Sequence, residues 1–239
     1  LCSLLYWYEG DLPALLISCG IALALGLPLW WLFREDNELD IREAFAIASF
    51  GWILISAVSA LPFVIHGSIP SFTSAFFEMM SGYTTTGATV LEDIEAVPHG
   101  LLFWRSETHL IGGMGFLTLT LLFLPHGMGG TRIFRAESSP GQAVTREKFV
   151  ARNRDAVQRL WLIYLGLNLA EILVQCACGM SLFESACHAF GTISTGGFSP
   201  LQGSVGQYDS AVFDWIVIVF MFLGGVSFIL FYFAAIREW

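Results

Sequence analysis

Five long apolar stretches divide the chain. Leu12–Phe33, Ala44–Ile65, Thr108–Pro125 and Trp215–Ile236 carry no Asp, Glu, Lys or Arg, and Leu160–Met180 is interrupted by Glu171 alone. A bilayer core needs about 20 residues of helix at a rise of about 1.5 Å each. Three of the stretches reach that length uncharged, and the other two reach it with flanking residues. The pattern predicts helices over 11–33, 43–65, 100–124, 156–179 and 210–236. The amphipathic segments 70–82 and 181–190 are too short to span. They read as half-helices that begin two re-entrant stretches, 70–98 and 181–208. Pro28 falls near one end of the first helix, where a kink is tolerable. Leu4-Leu5-Tyr6-Trp7-Tyr8 reads as the end of a preceding span, because Trp and Tyr gather at membrane interfaces. With Leu1 rather than methionine in first place, residues are expected to be missing before it.

The predicted fold is an all-α integral membrane protein of span–re-entrant pore loop–span repeats with a preceding transmembrane helix. Residues 1–42 form an N-terminal transmembrane region, the end of one helix plus one full span. Residues 43–125 form the first repeat, 126–155 a basic cytoplasmic connection and 156–239 the second repeat.

Composition supports membrane residence. Charged residues make up 13% of the chain, against about 25% in soluble domains. The net charge of −9 is better read by position. Arg132, Arg135, Arg146, Lys148, Arg152, Arg154 and Arg159, seven of the eleven basic residues, lie between the third and fourth stretches. The positive-inside rule makes 126–156 cytoplasmic. The segments 66–99 and 181–210, with Glu78, Glu92, Asp93, Glu95, Glu184 and Asp209, then face outward, as solvated loops or as a cation-concentrating surface. The basic connection could dock a regulator or anionic lipid, or simply set topology. No nucleic-acid partner and no cofactor are expected. The five cysteines, Cys2, Cys19, Cys176, Cys178 and Cys187, show no metal-ligand spacing with histidine and read as packing residues.

Two loops carry the candidate chemistry. Gly82-Tyr83-Thr84-Thr85-Thr86-Gly87-Ala88-Thr89 and Gly191-Thr192-Ile193-Ser194-Thr195-Gly196-Gly197-Phe198 align without gaps as Gly-x-x-x-Thr-Gly. Non-helical backbone at membrane depth is tolerated only where it is buried in protein or lines a watery cavity. A half-helix pointing inward turns the negative end of its dipole toward the pore and favours a cation. Glycine lets successive carbonyls turn toward one axis, and such a ring can replace the hydration shell of potassium. Threonine and serine hydroxyls could add ligands or brace the loop. The candidate ion-binding residues are Thr85, Thr86, Gly87, Ala88, Ser194, Thr195, Gly196 and Gly197, with potassium held by the carbonyls of Thr85, Thr86, Ser194 and Thr195. The carbonyls of Thr85, Thr86 and Gly87 and of Ser194, Thr195 and Gly196 are expected to face a common axis.

Several stretches carry a family resemblance. Ser81-Gly82-Tyr83-Thr84-Thr85-Thr86-Gly87-Ala88-Thr89-Val90-Leu91 resembles the first filter of the bacterial Trk/Ktr potassium-uptake proteins of the TrkH type. Pro98 to Ser106, Ile111-Gly112-Gly113-Met114-Gly115, Arg135-Ala136-Glu137, Cys187-His188-Ala189-Phe190 and Ser194 to Ser199 are similar to its later landmarks. The resemblance covers essentially the whole chain. It implies four span–loop–span repeats around one pore, potassium as substrate, a homodimer in the bacterial plasma (inner) membrane, and a cytoplasmic nucleotide-binding regulatory subunit. It makes Gly87 and Gly196 the filter glycines of repeats one and two. Family members with serine at the first position tend to admit sodium, so glycine at both implies potassium preference. Two repeats are absent here, so the chain is expected to be a fragment or one part of a longer protein.

Other residues admit two readings. Glu171 within the fourth helix serves an ion path or a packing hydrogen bond. His109 and His188 are ligands or hydrogen-bonded packing residues. Arg105 and Glu107 read as interfacial anchors or a local pair. Gly112, Gly113 and Gly115 read as close helix packing or a hinge. The alternative functions are a sodium- or proton-coupled secondary transporter using Glu171, a structural subunit whose partner conducts, and an intramembrane enzyme pairing Glu171 with His188. No protease or transferase motif accompanies that last pair.

Overall fold

The computed structural model describes residues 2–32, 41–123, 146–226, 228, 230 and 231, and is helical with no strand among them. The helices are α1 (Cys2–Leu5), α2 (Leu12–Leu32), α3 (Ile41–Ser59), α4 (Leu61–His66), α5 (Phe72–Tyr83), α6 (His99–Phe123), α7 (Arg146–Ala177), α8 (Leu182–Ile193) and α9 (Ala211–Gly225). Three described helical stretches are long and apolar enough to cross a membrane: Leu12–Leu32, Phe45–His66 and Val157–Ala177. Leu23, Leu25, Leu27, Trp30 and Trp31 on α2, and Val219, Met221 and Phe222 on α9, are exposed. Such a surface suits lipid rather than water.

Three boundaries differ from the pattern-based expectation. The second span is two helices, α3 and α4, because Pro62 in the first turn of α4 cannot donate to the helical ladder. α7 begins at Arg146, ten residues before the expected 156. The stretch from 146 to 159 holds no Gly or Pro, so good helix formers carry the helix on as a polar extension. Most of the expected 126–155 connection lies outside the described residues. α9 ends at Gly225, with Val226 extended (φ −74°, ψ 141°), so the helix expected over 210–236 is interrupted there; Phe228, Leu230 and Phe231 are helical again, and the rest of the expected range lies outside the described residues. Paired glycines, Gly224 and Gly225, weaken the helix at that point.

Two apolar clusters hold the repeats together. Ala60, Phe63, Ala75, Met79, Leu101 and Leu102 join α4, α5 and α6. Leu160, Tyr164, Ile193 and Phe228 join α7, α8 and the segment after α9. The glycines of α6 serve close packing. A Cβ on Gly112 would overlap the Tyr83 carbonyl, one on Gly113 would meet the Tyr164 hydroxyl and Ser194, and one on Gly115 the Trp52 ring. The N-terminal segment is strapped to the start of α6. Glu9 accepts from the His99 backbone N–H (2.6 Å) and contacts its Nδ1 (2.7 Å), while the Tyr6 ring stacks on the His99 ring at 4.3 Å.

Candidate functional site: two juxtaposed pore loops

Each loop is launched by a capped half-helix. Ser71 caps α5 by accepting from Ser74 N–H (3.4 Å). Ser181 caps α8 in a reciprocal capping box with Glu184. Both half-helices are 12 residues long and run straight into the loops at their C-terminal, dipole-negative ends.

The backbone fixes the correspondence between the loops, and it differs by one from the Gly-x-x-x-Thr-Gly alignment. The caps, the helix ends and the loop hydrogen bonds all repeat 110 residues apart (71 to 181, 83 to 193), where the alignment of Gly82 with Gly191 gives 109. Thr84 Oγ1 donates to the Met80 carbonyl (2.7 Å) and Ser194 Oγ to that of Phe190 (2.6 Å). Thr85 N–H donates to Gly82 and Thr195 N–H to Thr192 (3.1 and 3.0 Å). Thr85 and Thr195 both take positive φ, 52° and 59°, and so do Gly87 and Gly197, at 78° and 93°. The structural counterpart of Gly87 is therefore Gly197, not Gly196. Left-handed backbone at a threonine is uncommon, and its recurrence at equivalent positions marks one loop shape built twice.

The loops meet. A Cβ on Gly87 would overlap the carbonyl oxygen of Gly196. Thr84, Thr86 and Ala88 are exposed and Thr85 and Gly87 half-buried in the first loop; Thr195 and Gly197 are exposed and Gly196 half-buried in the second. Ser194 is buried, its hydroxyl spent on the helix end. The second loop also borders a cavity of about 460 Å³ shared with His188, Thr192 and Met221. Beyond the loops the return segments interlock. Gln202 accepts from Ile94 N–H (3.0 Å), and Glu95 accepts from Gln202 N–H and Gln207 Nε2 (3.2 and 3.0 Å). The Gln207 and Gln202 bonds hold the Glu95 carboxyl below its ordinary range.

Behind the loops lies a buried ion pair that the sequence did not disclose. Glu78, read as an outward carboxylate, is fully buried in α5, and Arg105, read as an interfacial anchor or a local pair, is buried in α6. Arg105 Nε donates to Glu78 Oε1 at 2.6 Å. The same carboxylate accepts from Thr89 Oγ1 and Val90 N–H, both at 2.8 Å. The guanidinium also donates to the Ser199 carbonyl (3.1 Å) and lies 3.5 Å from the Phe198 ring centroid. One pair thus ties the exits of both loops to α6. The available signal was Glu78 itself: a carboxylate in an otherwise uncharged half-helix at membrane depth needs a partner.

The remaining candidates have structural surroundings. Glu171 is buried, accepts from Gln175 Nε2 (2.9 Å) one turn along its own helix, and lies against Thr192. His188 is buried with its ring edge against Tyr208 at 5.8 Å. His109 is hydrogen-bonded to both loops. Glu107 is half-buried, and all five thiols are free.

Membrane-length apolar helices, half-helices and paired re-entrant loops define a multi-pass membrane protein of the pore-loop class. A family model described as a cation transport protein, TrkH, matches residues 12–238. The chain is 40% identical over 211 residues to the Trk system potassium uptake protein TrkH of Escherichia coli K12, covering 87% of this chain and 43% of that protein. It is 35% identical over 241 residues to the TrkH of Halomonas elongata, covering 100% and 49%. The crystal structure of the potassium transporter TrkH from Vibrio parahaemolyticus superposes with a TM-score of 0.81 at 33% identity, covering 96% of this chain and 46% of that one. The chain belongs to the TrkH family, whose members reside in the bacterial inner membrane. It spans about half the length of the curated relatives it matches.

Proposed function

We propose that this chain supplies two of the four quarters of a potassium-conducting pore, completed by two further span–loop–span repeats. The observation that carries the reading is the pair of like-shaped, touching loops whose residues Thr85–Ala88 and Thr195–Gly197 are exposed or half-buried. In this reading the carbonyls of Thr85 and Thr86 ligate potassium together with those of their structural counterparts Thr195 and Gly196, one residue on from the expected Ser194 and Thr195, and the positive φ at Thr85, Gly87, Thr195 and Gly197 sets their direction. Ser194 Oγ and Thr84 Oγ1 brace the loops instead of binding ions. The potassium-uptake activity named for the relatives supports the substrate. The protein is a transporter and not an enzyme, works as a homodimer, and engages a nucleotide-binding regulator on its cytoplasmic face.

The direct test is growth of a potassium-uptake-deficient bacterium at limiting potassium. The complete transporter carrying this chain is expected to restore growth and rubidium uptake; a chain that reaches the membrane and restores neither overturns the reading. Topology is tested separately. A cysteine replacing Ser139, in the basic connection, is expected to resist impermeant thiol reagents added outside intact cells and to react after permeabilisation. Ready labelling from outside would reverse the orientation.

A further inference from the structure

His109 is a buried imidazole on α6 whose two nitrogens reach different quarters of the site. Nδ1 lies 2.8 Å from the carbonyl oxygen of Gly82, at the end of the first half-helix. Nε2 lies 3.2 Å from the backbone N–H of Phe198, directly after the second loop. A carbonyl can only accept and an amide N–H can only donate. These two bonds are made together by the neutral tautomer with its proton on Nδ1 and Nε2 accepting, and the Gly196 backbone lies against the same ring. An imidazolium would aim an N–H at the Phe198 N–H and lose that bond.

The Gly82 carbonyl also accepts from Thr85 N–H at 3.1 Å, and Thr85 is the threonine held at positive φ. Phe198 is covalently next to Gly197, the positive-φ glycine of the second loop. A continuous path thus runs from Thr85 through Gly82, His109 and Phe198 to Gly197. Stacking reinforces it: the His109 and Phe198 rings lie 4.1 Å apart and within 8° of parallel, and Arg105 lies over the Phe198 ring. A Cβ on Gly196 would overlap the His109 ring, so the second loop rests directly on it.

We propose that His109 is a positioning residue for ion selection, a neutral two-ended clamp that holds the first and second filter loops at a fixed separation. The clamp touches no ion. It acts by fixing the loop backbones that present the carbonyls, so its loss lets one quarter move against the other. The inference rests on the filter reading above.

The test uses the complete transporter in proteoliposomes, with potassium and sodium flux measured per molecule. His109→Phe keeps a ring for stacking and removes both hydrogen bonds. It is expected to lower the potassium-to-sodium ratio about tenfold, equivalent to about 1.4 kcal/mol of discrimination. His109→Asn places an amide near Nδ1 and keeps the Gly82 bond; His109→Gln reaches toward Nε2 and keeps the Phe198 bond. Each is expected to give a ratio between those of wild type and His109→Phe, and both remain informative if His109→Phe does not fold. Gly87→Ser is the reference in the same assay. If Gly87→Ser shifts the ratio while properly inserted His109 variants leave it unchanged, the clamp is overturned and the filter reading stands. If Gly87→Ser also leaves it unchanged, the filter reading falls and the clamp with it.

Discussion

Arg105→Met in the complete transporter is expected to remove most of the protein from the membrane fraction. The substitution keeps a long, flexible apolar stem but deletes the guanidinium, leaving the fully buried Glu78 carboxylate without its cation. Removing one partner of a buried pair costs about 3–5 kcal/mol, because the remaining charge stays desolvated. The Ser199 carbonyl and the Phe198 ring lose their contacts as well. A loss of even about 1–2 kcal/mol changes abundance several-fold. Arg105→Lys is expected to be milder but not neutral, since an ammonium cannot span Glu78 and Ser199 with a planar fork. Combining Arg105→Met with Glu78→Gln is expected to recover part of the loss, because no net charge is then stranded. Recovery stays partial: Glu78 Oε1 and Oε2 accept from Thr89 and Val90, and an amide can satisfy only one of its two sides as an acceptor. Quantitative blotting of membranes with a double-mutant cycle measures this. Equal abundance of Arg105→Met and wild type would show that the pair does not organise the fold.

The reach of the sequence stops at a physical boundary. Spans and half-helices were legible because apolar length and charge placement are local properties; the expected half-helices 70–82 and 181–190 lie close to Phe72–Tyr83 and Leu182–Ile193. The register between the loops was not legible. Gly82 and Gly191 look equivalent in sequence, yet each is glycine for its own reason. A Cβ on Gly82 would strike the Thr108 hydroxyl, and one on Gly191 would press on the Phe198 carbonyl. Backbone dihedrals and hydrogen bonds, which letters do not display, put Ser81 opposite Gly191 and Gly87 opposite Gly197. The Glu78–Arg105 pair joins residues 27 apart through a fold that returns α6 beside α5. Neither residue announces the other, and a charge near a predicted helix start reads most simply as interfacial. His109 was legible only as a ligand or a hydrogen-bonded packing histidine; that it reaches both loops is a tertiary fact.

Gly87→Ser is expected to relax selectivity toward sodium more than it abolishes transport, and more strongly than Gly197→Ser. Two effects combine at Gly87. Its φ of +78° lies in the left-handed region, where a residue with a Cβ is disfavoured by roughly 1–2 kcal/mol. Its Cβ would also overlap the Gly196 carbonyl oxygen, a backbone atom that cannot swing aside as a side-chain tip does. The strain therefore passes from the first loop to the second and turns a carbonyl in the neighbouring quarter. Gly197 has a φ of +93°, and a Cβ there would meet nothing beyond its own chain neighbours. Serine at that position strains its own loop and pushes on nothing in this chain. A filter that replaces potassium hydration depends on the number and direction of its carbonyls, and a tenfold change in discrimination requires only about 1.4 kcal/mol. Strain of the size expected at Gly87 is enough to supply it. The serine hydroxyl adds a compact oxygen beside the ring, which favours the smaller ion. Potassium and sodium flux at matched membrane abundance decides the matter. The expected order of potassium-to-sodium ratio is wild type, then Gly197→Ser, then Gly87→Ser. An unchanged ratio with normal flux in Gly87→Ser would reduce Gly87 to the residue of a surface turn and remove the first loop from the filter.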